Sequence, residues 1–94
     1  MSNSPSRYDP IVLRYNIKKH GIPFEEASTV FGDPLSLTIE DPEHSNKEDR
    51  YVTIGLSAKF RIIVVIHTDR GDNIRIISAR LATRGEKNNY EKGI

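Results

Sequence analysis

Four arginines stand where strands are expected to end or to present a face. Arg50 opens one strand, Arg61 and Arg75 lie within two others, and Arg80 closes the last. A guanidinium is always charged, and its planar fork of N–H donors matches the oxygens of a phosphate. Four of them on neighbouring strands therefore describe a cationic surface. Their types alone fit RNA, DNA or an acidic protein equally well, and each singly fits a surface ion pair. Other chemistries have less to stand on. The three histidines, His20, His44 and His67, lack the i,i+4 spacing of a metal pair, and there is no cysteine to complete a site. Asp41, Glu43, Glu48 and Asp49 share one polar loop without the EF-hand order. The six glycines are isolated, so neither a P-loop nor a dinucleotide loop is present. No strand-to-helix turn carries a serine nucleophile. The expectation is a protein with no metal and no cofactor.

The charge distribution agrees with a cationic face. The net charge is +1, but residues 1–49 sum to −4 and residues 50–94 to +5. Such asymmetry marks interaction with a polyanion, or else a solvated surface of mixed ion pairs. At 94 residues, with 36% hydrophobic and 29% charged, the chain reads as one polar globular domain over 8–94 behind a flexible tail, 1–7. The longest aliphatic run, Ile62 to Ile66, is too short to cross a bilayer. No signal peptide opens the sequence, so a cytoplasmic location is expected, with no membrane partner.

The elements that must position these arginines can be read from periodicity. Arg7-Tyr8 offers a short edge strand. Asp9-Pro10 opens a helix over Ile11 to Lys19, which Gly21 stops. Pro23 starts a second helix with the apolar stripe Phe24, Ala27, Val30 and Phe31, and Glu25 and Glu26 suit its N-terminal turn. Period two then takes over. Strands are predicted at Leu35 to Glu40, Val52 to Leu56, Phe60 to Thr68 and Ile74 to Arg80, with a weakly apolar helix from Thr83 to Lys92. Short connections make the strands an antiparallel meander. The fold class expected is α+β: two N-terminal helices on one face of a four- to five-stranded, mainly antiparallel sheet, with a short C-terminal helix. The helices are expected over Leu35/Leu37/Ile39, Val52/Ile54/Leu56 and Ile62/Val64/Ile66. That leaves Thr53, Arg61, His67 and Arg75 on an open, polar face.

Several short stretches, in order, resemble the BrnT family of type II toxins, whose fold is similar to that of the RelE-type ribonucleases. They are Tyr8-Asp9, Asn16, Lys19-His20-Gly21-Ile22, Phe24-Glu25-Glu26-Ala27 and Val30-Phe31-Gly32-Asp33. Further on come Asp41, His44-Ser45, Glu48-Asp49-Arg50 and Ile54-Gly55-Leu56-Ser57, then Arg75 to Arg80, Ala82-Thr83, Glu86 and Tyr90. Three positions depart from the pattern. Tyr8 stands where a Trp is usual, Val12 where a Lys is usual, and Pro23 where a Ser or Thr cap is usual.

The resemblance implies an mRNA-cleaving ribonuclease that blocks translation. It also implies a ribbon-helix-helix antitoxin of the BrnA-like kind as partner, with DNA reached only through that antitoxin. RNA can be cut without a metal because its 2′-hydroxyl is a nucleophile. The protein must then supply a proton acceptor, a proton donor for the 5′-oxygen, and cations at the phosphate. On this reading the catalytic candidates are Glu48, Arg50, Arg80 and Tyr90. Arg50 and Arg80 serve as cations, Glu48 as a base or an arginine's partner, and Tyr90 as a stacking, proton-transfer or packing group. Lys18, Lys19, His20, Arg61, Arg75 and Arg84 are the expected RNA contacts. His20 either titrates near neutrality or caps helix carbonyls. The alternative reading is a catalytically weak module that mainly binds its antitoxin. No helix combines basic residues with the turn of a helix-turn-helix, so a DNA-binding regulator is disfavoured.

Overall fold

The computed structural model describes residues 6–7, 10–41, 50–70 and 73–93. Five strands form one sheet in the order β1-β5-β4-β3-β2. They are β1 (Ser6–Arg7), β2 (Leu37–Glu40), β3 (Arg50–Leu56), β4 (Ile62–Arg70) and β5 (Asn73–Leu81). β2 to β5 are antiparallel neighbours, and β1 runs parallel to the edge of β5. β1 thus takes up the last two residues of the segment expected as a tail. The helices are α1 (Pro10–His20), α2 (Phe24–Ser28), continued by a 3₁₀ turn at Thr29–Gly32, and α3 (Arg84–Lys92). Pro10 occupies the first position of α1, where its missing N–H costs nothing. Gly21 ends α1 at φ +72°, with its N–H on the Ile17 carbonyl, a left-handed cap that glycine adopts freely. α3 begins on a reciprocal cap. The Thr83 hydroxyl accepts from the Glu86 N–H, and the Glu86 carboxylate accepts from the Thr83 N–H.

The core lies between the sheet and the α1–α2 layer. Ile22, Phe24, Ala27 and Val30 pack on Ile63, Val65, Ile76 and Ala79, with Val12 and Phe31 at the margin. The sheet face that the helices cover is therefore the reverse of the one expected. It carries Thr53, Gly55, Ile63, Val65 and His67, while Val52/Ile54/Leu56 and Ile62/Val64/Ile66 point the other way. The reason is packing distance. A Cβ on Gly55 would lie 2.7 Å from Val30 Cγ1, so the row of small residues in β3 is what lets the 3₁₀ turn approach. Alternation could not reveal this, because β4 is apolar on both faces. In β5 a bulge at Ile77 sets Ile66 opposite Ser78 and His67 opposite Ile76, which brings Ile76 and Ala79 into one core.

Smaller differences follow from turns. Leu35 lies in the turn before β2, and Phe60 lies in the β3–β4 turn at φ +64°, so β4 begins only at Ile62. Arg61 stands just before β4 and not within it. α1 is pinned by one buried amide. Asn16 Nδ2 donates to the carbonyls of Ile22 (3.0 Å) and Ala79 (2.9 Å), and Asn16 Oδ1 accepts from the Ala79 N–H at 3.1 Å. Asn16 thus satisfies the β5 backbone where β1 is too short to pair with it. No helix among the described residues is long and apolar enough to cross a membrane.

Candidate functional site

Residues paired across adjacent strands share a face. The register therefore sorts the second face, which α1 and α2 do not cover, into rows. Arg50, Thr68 and Arg75 make the first. Ile39, Val52, Ile66 and Ser78 make the second, and Leu37, Ile54, Val64 and Arg80 the third. The uncovered face was expected to be polar and partly basic. It has instead an apolar middle between two basic ends.

At the third row Arg80 is fully engaged. Its two terminal nitrogens donate to the two carboxylate oxygens of Glu86 at 2.8 and 2.9 Å, which fixes the start of α3 to the end of β5. The Arg80 guanidinium, with the Thr83 cap, holds the Glu86 carboxyl down at about 2. A group that acidic is a poor proton acceptor. Tyr90, near the end of α3, donates its hydroxyl to Asp33 Oδ2 at 2.5 Å. That bond, with burial, pushes the Tyr90 phenol up to about 12. Burial alone would raise the Asp33 carboxyl. The bonds from Tyr90 and from the N–H groups of Leu56 and Leu35 outweigh it, and the carboxyl lies below its ordinary value. Arg80 and Tyr90 thus hold the two ends of a helix that buries no residue of its own.

Arg61 is engaged as well, on the helix side. It makes a two-pronged pair with Glu26 of α2, and Ser57 Oγ donates to the same carboxylate at 2.7 Å. Arg61 above all holds the Glu26 carboxyl below its ordinary value, against the effect of burial. Glu26 stands in the first turn of α2, as expected, and is buried there. A hollow lined by Pro23, Glu25, Glu26, Thr29, Ala58 and Lys59 lies beside this pair and not on the open face.

His67, expected on the open face, also sits under the helices. Its Nε2 is 2.8 Å from the Thr53 hydroxyl, which bonds on to Thr38 at 2.7 Å, and its Nδ1 is 3.3 Å from Asp69. Phe31 meets the ring edge-on and Tyr51 stacks on it. Hydroxyl, imidazole and carboxylate have the order of a nucleophile relay, but Thr53 is 1% exposed. Burial holds the imidazole below its ordinary value, with Asp69 opposing in part. This run of contacts joins β2, β3 and β4.

The first row differs from all of these. Among the described residues, neither Arg50 nor Arg75 pairs with a carboxylate. Arg75 is exposed and Arg50 half-buried. β1 runs alongside, its Arg7 in register with Arg75. Between the two arginines the Thr68 hydroxyl is buried and has no hydrogen-bond partner. Lys18, Lys19 and His20 lie apart, in the last turn of α1, with the Lys19 ammonium 5.7 Å from the Tyr15 ring centroid. Arg84 is exposed at the first position of α3. Glu48 falls outside the described residues, as does Tyr8. Val12 packs against the core, which accounts for an apolar residue there. Pro23 precedes α2 at φ −71° and makes no side-chain cap.

Sequence reasoning missed three residues. Glu86 had a signal, since Thr83-x-x-Glu86 is the capping-box spacing. Asp33 and Thr68 had none, because their roles depend on partners brought from distant strands and helices.

A family model described as the ribonuclease toxin BrnT of type II toxin-antitoxin systems matches residues 8–86. The chain belongs to the BrnT family. The resemblance read from its residues is thereby shown. Comparison with solved structures finds the 1.1 Å crystal structure of the Brucella abortus ribonuclease toxin BrnT. The TM-score is 0.62 and the identity 24%, over 86% of this chain and 100% of that one. At that identity the likeness speaks for the fold, and it agrees with the α+β arrangement expected. Comparison with curated proteins gives no match. As a toxin of a type II system, a BrnT protein has an antitoxin as partner.

Proposed function

We propose that the chain is an endoribonuclease that cleaves mRNA on the open sheet face, inhibits translation, and is neutralised by a ribbon-helix-helix antitoxin. The observation that carries the reading is the first row: two guanidiniums on one face, each in register with Thr68, that pair with no carboxylate among the described residues. Cations with no carboxylate partner among the described residues are available to phosphate, whereas Arg61 and Arg80 already hold carboxylates.

In the reaction proposed, the 2′-oxygen bonds to phosphorus and the bond from phosphorus to the 5′-oxygen breaks. A 2′,3′-cyclic phosphate and a 5′-hydroxyl result. One proton leaves the 2′-hydroxyl for a base and one reaches the 5′-oxygen from an acid. Arg50 and Arg75 balance the charge that builds on the phosphate. Glu48, two residues before Arg50 in the chain, is the proposed base. Lys18, Lys19, His20 and Arg84 are proposed to guide the strand's flanks. Arg80 reaches a phosphate only if Glu86 yields it, so the proposal gives Arg80 and Tyr90 first the task of holding α3.

The apolar middle row suits the antitoxin. Ile39 is 63% exposed beside half-buried Val52 and Ile66, and a partner covering them would also cover Arg50 and Arg75. Gel filtration of the toxin co-expressed with its antitoxin is expected to give one complex; two separate peaks at micromolar concentration would reject that docking.

Among the described residues no three of His, Asp and Glu gather as metal ligands. Cleavage is accordingly expected to persist in EDTA and to vanish when the RNA carries 2′-deoxyribose at the cut site. Loss on chelation, restored by Mg²⁺ or Mn²⁺, would overturn the mechanism. One observation favours a second reading, a weak nuclease that mainly binds its antitoxin: Arg80 and Tyr90 are both occupied in holding α3. Failure of the isolated toxin to cut any RNA, with complex formation intact, would select it.

A further inference from the structure

The proposed function uses Arg50 and Arg75 as charges and leaves the side chain between them unexplained. Thr68 pairs with Arg50 on one side and with Arg75 on the other, so all three project from the open face. Thr68 is 2% exposed, and its Oγ1 alone among the buried side-chain polar atoms of the described residues lacks a hydrogen-bond partner. Thr53 on the opposite face shows the contrast, for its hydroxyl bonds both Thr38 and His67. Valine has the same shape as threonine without the polar atom, and at a merely structural position it would fill the space without an unmet donor.

A hydroxyl between two forked guanidiniums forms a donor set for a tetrahedral oxyanion. We infer that Arg50, Thr68 and Arg75 form one phosphate-binding subsite, which takes a backbone phosphate of the RNA strand. The arginines supply charge and the Thr68 hydroxyl fixes where the phosphate sits. Thr68 is covered in the free protein, so on this proposal the exposed Arg75 and half-buried Arg50 rearrange around the ligand as it binds. The RNA source of the phosphate rests on the ribonuclease reading; the donor set rests on the register and on the unpartnered hydroxyl.

The test is an NMR titration of the ¹⁵N-labelled protein with inorganic phosphate. Wild type and Thr68→Ser should give saturable amide shifts at residues 50, 68 and 75 on one curve. Thr68→Val should bind about tenfold more weakly, the scale of a hydrogen bond to a charged group. Its melting temperature without phosphate should equal or exceed that of wild type, because no bond is lost. Arg75→Gln, a change at an exposed position, should weaken binding as well. Equal phosphate affinity for Thr68→Val and wild type would overturn the subsite, as would acetate binding there as tightly as phosphate. RNA cleavage on the same preparations separates the sources. Parallel losses of phosphate binding and cleavage support a strand phosphate. Loss of phosphate binding with wild-type cleavage overturns the assignment to RNA. A wild-type protein that binds phosphate but cuts no RNA removes the ribonuclease reading and leaves the subsite standing.

Discussion

The two basic ends of the open face carry the same residue type in opposite states. At one end Arg80 is held by both oxygens of Glu86, and the pair fastens α3 to β5. At the other, Arg50 and Arg75 flank Thr68 and hold no carboxylate among the described residues. Four positions of β4, from Val64 to Thr68, separate the rows, roughly 13 Å of strand. An arginine's place on a strand thus says little about its task until its partner is known. Where a carboxylate is within reach, the guanidinium serves the fold. Where none is found among the described residues, as at Arg50 and Arg75, the guanidinium is proposed to serve a ligand.

That division can be tested by removing one partner at a time. The largest effect on stability is expected at Arg61. Arg61→Ala leaves the buried Glu26 carboxylate without its cation, and the melting temperature should fall by roughly 10 °C or more. RNA binding per folded molecule should stay near wild type, which a titration in parallel with the melt checks. Tyr90→Phe comes next. It removes one of the bonds that offset the burial of Asp33, at a cost of about 1–2 kcal/mol in urea unfolding. Glu86→Gln keeps a capping group but breaks the ionic fork to Arg80, and should cost about 1 kcal/mol for a pair this open to solvent.

The smallest effect is a pH dependence. The Glu86 carboxyl is held at about 2 against an ordinary 4.5. A depressed carboxyl stabilises the fold above its unfolded value and loses that contribution as the pH falls toward its folded value. The difference in melting temperature between wild type and Glu86→Gln should therefore be constant above pH 4.5 and shrink from there toward pH 2. A gap that persists at pH 2 would mean that Glu86 acts through packing and not through its charge.

Local signals in the sequence located most of the fold. Pro10 and Gly21 bracket α1, and period two located β2 to β5 within two residues at each end. The face did not follow, because Ile62 to Ile66 is apolar on both sides. The deciding fact was the clearance at Gly55, which depends on Val30 arriving from elsewhere in the chain. The bulge at Ile77 likewise leaves no mark in an alternating pattern. The same limit applied to the site. All four strand arginines were visible as candidates, but the carboxylate that occupies Arg61 is 35 residues away in sequence. Arg80 was the exception, since its partner is six residues on and belongs to a recognisable capping box.

The central claim is that the unpaired row, and not the α3 clamp, meets the RNA phosphate. Cleavage rates and thermal melts of Arg50→Ala, Arg75→Ala and Arg80→Ala, measured on the same preparations, address it most directly. Arg50→Ala should cut the rate by about 10²–10³, the scale of losing one preorganised electrostatic donor, with its melt unchanged. Arg75→Ala should follow it in kind. Arg80→Ala should chiefly lower the melting temperature, by about 4–8 °C, and reduce cleavage less than Arg50→Ala does. Folded Arg50→Ala and Arg75→Ala proteins that cleave at the wild-type rate, beside an Arg80→Ala protein that melts normally and does not cleave, would contradict the account.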